Sequence, residues 1–226
     1  MNLNNANILL VEGESDRGFF EQVCKLLQLN ITIKVAIPKD YQGKLRNTKQ
    51  GVLIALQRLL NDIVDENAET KRLAIVIDAD YKNKHGLGFE DTLNQVKTIA
   101  ANYDFNLNEP KDNGLIFNHV DGNAQFGLWI MPNNQDNGEL EDFIKSCIDD
   151  NEQLLFNHAT QTIEQLPEKR FDITDTTKAE IATWLAWQKK PSHGVYIALK
   201  ESLLNEDNEL FKELKHWLNH IYNTEN

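Results

Sequence analysis

Leu73-Ala74-Ile75-Val76-Ile77-Asp78-Ala79-Asp80 is the stretch that decides the fold. Leu73–Ile77 is apolar without interruption and β-branched in its second half, too short for a helix and apolar on both faces. Such a run is the signature of a central strand covered on both sides, the usual situation in a parallel sheet. It stops abruptly at Asp-Ala-Asp, so two carboxylates stand where the strand leaves the sheet. With a side-chain period of two, Asp78 and Asp80 point the same way, provided the strand geometry continues.

Upstream, Ile8–Val11 is a shorter apolar run closed by Glu12-Gly13, a buried strand ending in a turn. Ser15 can cap the next helix, in which Phe19, Phe20, Val23, Leu26 and Leu27 fall at helical spacing. Ile31–Ile37 is β-branched and stops at Pro38, which makes it a strand. Lys39–Lys49 is polar, contains Gly43 and reads as a loop. Val52, Leu53, Leu56, Leu59, Leu60 and Ile63 then form a helical stripe that runs to about Asn67.

Downstream, Asp80–Gly88 is a polar loop and Phe89–Tyr103 a helix. Leu115–Val120 and Phe126–Met131 are two strands joined by Asp121-Gly122-Asn123, which makes a hairpin and a mixed sheet. Strand–helix–strand–helix–strand order gives right-handed crossovers and an open α/β sheet. After about Glu139 the strands stop. Helices are expected at Leu140–Cys147, Glu152–Gln165, Thr176–Gln188, Val195–Leu204 and Glu209–Tyr222. The chain thus divides into an α/β core over residues 1–148 and a helical extension over 149–226 packed on it.

Composition narrows the function classes. The chain of 226 residues has 23 basic and 35 acidic side chains and a formal charge of −12. That balance excludes an extended non-specific grip on duplex DNA, which needs a clustered basic face. Cys24 and Cys147 cannot build a disulfide framework and read as buried thiols of a reducing cytoplasm. No apolar run reaches the roughly 18 residues of a membrane span. Met1–Asp16 carries no basic region before its short apolar run, so no signal peptide is expected.

Three acidic groups fall at strand ends: Glu12 with Asp16, Asp78 with Asp80, and Glu139, Glu141 and Asp142 after the last predicted strand. Ligands of open α/β sheets bind outside the carboxyl ends of the strands, near a switch in strand order. Carboxylates gathered there repel unless cations occupy the space between them. Oxygen ligands in that number favour Mg²⁺ or Mn²⁺, which polarise a phosphodiester and activate water.

Val11-Glu12-Gly13-Glu14-Ser15-Asp16, followed by Ile75-Val76-Ile77-Asp78-Ala79-Asp80, resembles the Toprim domain of topoisomerases, bacterial primases, recombination-repair proteins and OLD-family nucleases. The resemblance covers about residues 6–145 and implies a Rossmann-like Toprim core with a mainly parallel, mixed sheet flanked by helices. Gly138-Glu139-Leu140-Glu141 is similar to the Gly-x-Leu-Glu signature of OLD-like and stand-alone Toprim proteins, which implies Glu141 as the ligand. The whole chain, with Trp184-Leu185-Ala186-Trp187-Gln188, resembles an uncharacterised bacterial family of stand-alone Toprim proteins. The resemblance implies metal ligands Glu12, Asp16, Asp78, Asp80 and Glu141. It also implies a lysine from a C-terminal helix entering the site, for which Lys178 is the candidate, so Glu12 and Lys178 are the catalytic candidates.

No Gly-x-x-x-x-Gly-Lys-Ser/Thr motif is present, so the ATPase module of a full OLD protein is missing. Zinc-ligand spacing is absent, which excludes a primase zinc module. Two basic clusters could meet a phosphate backbone: Lys39, Lys44, Arg46 and Lys49 in one loop, and Lys82, Lys84 and His85 in the other. Lys44, Arg46, Lys82 and Lys84 are the substrate-binding candidates. Trp184 and Trp187 read as packing residues in preference to base-stacking ones.

Two functions follow as expectations. One is a Mg²⁺- or Mn²⁺-dependent phosphodiesterase, a nuclease of DNA or RNA. The other is a non-catalytic Toprim-fold binding or regulatory module that acts with a separately encoded partner, such as an ATPase, in defence or repair.

Overall fold

The structure is a computed structural model that describes residues 7–36, 48–65, 70–82, 86–108, 114–191 and 193–223. Six strands, β1 (Asn7–Val11), β2 (Thr32–Val35), β3 (Arg72–Asp78), β4 (Phe105–Leu107), β5 (Leu115–His119) and β6 (Gln125–Met131), form one sheet in the order β2-β1-β3-β6-β5-β4. The β1–β2, β1–β3 and β3–β6 pairings are parallel. Within the hairpin β5 is antiparallel to β6, and the short edge strand β4 is antiparallel to β5. Leu73–Ile77 is at most 2% exposed, as expected of a central strand.

Eight α-helices lie among the described residues: α1 (Glu14–Leu26), α2 (Thr48–Val64), α3 (Gly88–Ala101), α4 (Leu140–Ser146), α5 (Gln153–Glu164), α6 (Thr176–Ala186), α7 (Ile197–Lys200) and α8 (Glu209–Asn223). Alternation along the strands divides them between two faces. Ile8, Leu10, Ile75, Ile77, Leu128 and Ile130 pack with Val52 and Leu56 of α2 and Val96 of α3. Leu9, Val11, Ala74, Val76, Trp129 and Met131 face the other way, onto α1, α4 and the helices that follow. The C-terminal helices therefore share one apolar core with the sheet: Tyr222 Oη of α8 donates to the Ile8 carbonyl at 2.5 Å, and Trp217 lies against Trp129 with ring centroids 5.6 Å apart.

Gly127 makes that closeness possible. A Cβ there would stand 1.9 Å from Ile221 Cδ1 and 3.0 Å from Trp217 Cζ2. Gly127→Ala is expected to push α8 away from β6 and cost about 1–3 kcal/mol, the usual range for overpacking a filled core. Urea denaturation measures it, and an unchanged midpoint would show that the helix does not bear on the strand.

Several elements differ from their sequence readings. Helix α2 begins at Thr48, so Lys49 belongs to its first turn and not to a loop; residues 37–47 lie outside the described residues. Strand β4 is too short for its alternation to be visible in sequence. The helix expected over Val195–Leu204 is confined to Ile197–Lys200, because Ser202 turns left-handed at φ 57°. No helix among the described residues is long and apolar enough to cross a membrane.

Candidate functional site at the carboxyl edge of the sheet

Strand β1 pairs with β2 on one side and β3 on the other, so the crossovers part between β1 and β3, where ligands of such sheets sit. Glu12 and Asp78 occupy the carboxyl ends of these two strands. The Asp78 N–H donates to Glu12 Oε1 at 2.8 Å, which ties the strand ends together. Glu12 is only 9% exposed. Helix α1 then starts on Gly13, whose N–H donates to Asp16 Oδ2 at 2.7 Å. Asp16 therefore reaches back to the helix start in the manner of a capping box. Ser15 is exposed in the first turn and is not the cap.

Helix α4 begins in the same way at the same edge. Its cap is Glu139, whose N–H donates to Asp142 Oδ2 at 2.9 Å. Asp142 also accepts from Tyr81 Oη at 2.8 Å, which makes it a structural acid joining α4 to the segment after β3.

Asp80 departs from the alternation expected of it. Strand β3 ends at Asp78, and Asp80 is left-handed with φ 61°. Its N–H donates to the Gly138 carbonyl at 2.9 Å, an isolated antiparallel bridge to the segment that leads into α4. The strand geometry does not continue, so the condition for Asp78 and Asp80 to point the same way is not met. Gly86 leaves room for this turn: a Cβ there would lie 2.5 Å from Asp80 Cβ.

Glu12, Asp16, Asp78, Glu141 and Lys178 line one cavity of about 320 Å³. A second cavity of about 430 Å³ shares Ser15, Glu141 and Lys178 with it and continues along the apolar side of α6 past Ile181 and Leu185. Lys178, in the first turn of α6, forms an ion pair with the buried Glu139 carboxylate. Lys145 Nζ to Glu180 Oε2, at 2.6 Å, fastens the same helix to α4 a second time. Lys49 Nζ, nearly buried, donates to the Ala79 carbonyl at 3.2 Å and forms an ion pair with Asp80.

The electrostatics follow from crowding and burial. Burial pushes the Glu12 carboxyl up to about 7, against the opposing effects of the Asp78 amide and the Lys49 charge. Burial also raises Asp78 well above the usual carboxylate range, and the charges of Glu12, Asp16, Glu139 and Asp80 add to it. Asp16 and Glu141 are raised for the same first cause. Burial works against the Lys178 ammonium, but its bond to Glu139 and the charges of Glu139 and Glu141 outweigh that and raise its pKa.

Four of the five expected ligands, together with Lys178, are thus brought to one cavity, and the fifth, Asp80, is engaged by Lys49. Among the described residues no group of three His, Cys, Asp or Glu side chains stands ready to hold a metal ion. In donor chemistry the carboxylates of Glu12, Asp16, Asp78 and Glu141 in this lining suit a hard divalent cation, and the raised Asp78 accepts no side-chain hydrogen bond among the described residues. Of the substrate-binding candidates, Lys82 is exposed, 3.5 Å from Asp91, beside a separate cavity of about 250 Å³. Lys44, Arg46 and Lys84 lie outside the described residues.

The sequence reading sets Lys49 in a basic loop cluster near this edge and misses its place in the first turn of α2 and its pairing with Asp80. Its signal was present: Lys49, Val52, Leu53 and Leu56 are spaced 3, 4 and 7 apart, which sets the lysine on the buried face of α2. The sequence favours Glu141 over Glu139 as the ligand, and the pairing of Glu139 with Lys178 joins residues too distant in sequence for any local pattern to show.

A family model described as protein of unknown function (DUF3226) matches residues 6–223. No curated protein and no solved structure matches the chain.

Proposed function

The chain belongs to that family of unknown function, DUF3226, and we propose that it is a divalent-metal-dependent phosphodiesterase, a nuclease of DNA or RNA with a Toprim-like core. One observation carries the reading: carboxylates from β1, β3 and the starts of α1 and α4 line a single cavity at the switch in strand order, with a lysine at its rim. Glu12, Asp16, Asp78 and Glu141 are the residues that would hold Mg²⁺ or Mn²⁺. A cation bound there supplies charge against the scissile phosphate and lowers the pKa of attacking water. Lys178 is oriented by Glu139 so that its ammonium borders the cavity, where it meets a phosphate oxygen. Glu12, nearly buried at the strand junction, is the carboxylate of this set that joins the two central strand ends, through the Asp78 N–H.

The test is incubation with single- and double-stranded DNA and RNA in Mn²⁺, Mg²⁺ or EDTA. Cleavage that needs metal and is lost in Glu12→Gln supports the reading. Lys178→Ala is expected to slow cleavage by about tenfold to a hundredfold while leaving metal binding intact, which separates its role from that of the carboxylates.

A second reading draws on a specific feature. Two carboxylates of this edge, Asp80 and Glu139, are already neutralised by lysines of the chain, and no metal-ready trio stands among the described residues. That favours a non-catalytic Toprim-fold module acting with a separate protein partner. Absence of cleavage on all four substrates in either metal selects it.

A further inference from the structure

We propose that Lys49 is a built-in counter-cation that engages Asp80 in place of a second metal ion, so that the site takes one divalent cation only. The inference rests on the metal-dependent reading above and sharpens it to a single-ion site.

Lys49 sits where neither burial nor helix electrostatics favours a lysine. It is the second residue of α2, at the positive end of the helix dipole, where a cation is disfavoured. It is also only 5% exposed, which penalises an ammonium unless it is paired. Both costs are met at one place. Nζ forms an ion pair with Asp80 and donates to the Ala79 carbonyl at 3.2 Å. These acceptors belong to the Asp-Ala-Asp segment that leaves β3, and Glu12 of β1 lies within reach of the same charge. A helix from the opposite layer of the sheet thus delivers a fixed positive charge to the acidic edge.

The backbone keeps the pair in place. Asp80 is left-handed and bridged to Gly138, which directs it out of the strand alternation that Asp78 follows. The edge is divided in consequence. Glu12, Asp16, Asp78 and Glu141 line the cavity, while Asp80 is absent from that lining. A divalent ion shared between Asp78 and Asp80 would have to displace an ammonium already held by two acceptors. Lys49 is therefore a positioning residue: it limits the number of ions and fixes the one that binds on the Glu12–Asp78 side.

The experiment is titration of the full chain with Mn²⁺, following the free ion by electron paramagnetic resonance. Wild type and Lys49→Arg, which keeps the charge, are expected to bind one ion. Asp80→Asn is also expected to bind one, with affinity changed by less than about threefold. Lys49→Ala frees Asp80 and is expected to take up a second ion, which the Lys49→Ala, Asp80→Asn double variant loses. Two ions in wild type, one ion in folded Lys49→Ala, or loss of the ion in Asp80→Asn overturns the role given to Lys49 and leaves the metal reading standing. Failure of wild type to bind Mn²⁺ overturns both. The Asp80→Asn arm decides the question should Lys49→Ala fail to fold.

Discussion

Asp78→Asn is expected to lower metal-dependent phosphodiester cleavage by about a hundredfold or more, equivalent to roughly 3 kcal/mol of lost transition-state stabilisation. The same substitution is expected to make the metal-free protein more stable at pH 8. The two effects have one cause. Asp78 stands among Glu12, Asp16, Asp80 and Glu139, and burial together with their charges raises its pKa well above the usual range. Its ionised form is costly without a cation and useful with one. Asparagine keeps the shape and removes the charge.

The pH dependence has a definite sign. Glu12, Asp16 and Asp78 all bind protons more tightly in the folded chain than in the unfolded one. Their stabilising effect is complete below the unfolded carboxylate values, near about 4, and is lost as pH rises through the folded values. For Glu12 that value is about 7, so its ionisation alone costs the fold roughly 3 kcal/mol. In EDTA the melting temperature is expected to fall between pH 5 and pH 8. Mn²⁺ should restore most of the loss at pH 8, and Asp78→Asn should fall less steeply in EDTA. A melting temperature in EDTA that rises over this interval would show that the carboxylates are not crowded in the folded state.

What was legible in the sequence is what neighbouring residues decide. Leu73–Ile77 announces a buried strand through composition alone, and Ile8–Val11 does so more briefly; together they place Glu12 and Asp78 at one edge. The hairpin of β5 and β6 was readable from a turn between two apolar runs. What escaped depends on distant partners. The bridge from Asp80 to Gly138 sets the left-handed turn that ends the alternation, and nothing near Asp80 in sequence reports it. Glu139 finds Lys178, and Asp80 finds Lys49, across separate elements. Of the candidate site, the carboxylates were therefore visible, whereas the lysines that divide them into lining and paired groups were visible only in part.

The two tryptophans of α6 and its end carry the other large effect. Trp184→Ala is expected to cost about 3–5 kcal/mol of stability, the range for removing a large aromatic side chain from a core. Trp187→Ala is expected to change stability by no more than about 0.5 kcal/mol. Both read as packing residues in sequence, yet only Trp184 is buried; Trp187, the residue on which α6 ends, is 44% exposed. Trp184 packs edge-on against Phe156 with centroids 6.0 Å apart, and its Nε1 donates to Glu152 Oε2 at 3.0 Å. Alanine would leave a void beside a glutamate that keeps only the Gln188 amide, at 2.7 Å. The consequence extends to the site, because Trp184 anchors the helix that carries Lys178 to the cavity rim. Urea denaturation should show one transition shifted as a whole, since Trp184 belongs to the same apolar cluster as Val11, Val76 and Trp129 of the sheet. Two separate transitions would mean that the helices fold independently of the sheet, and Lys178 would then be held at the carboxylates by its ion pair with Glu139 alone.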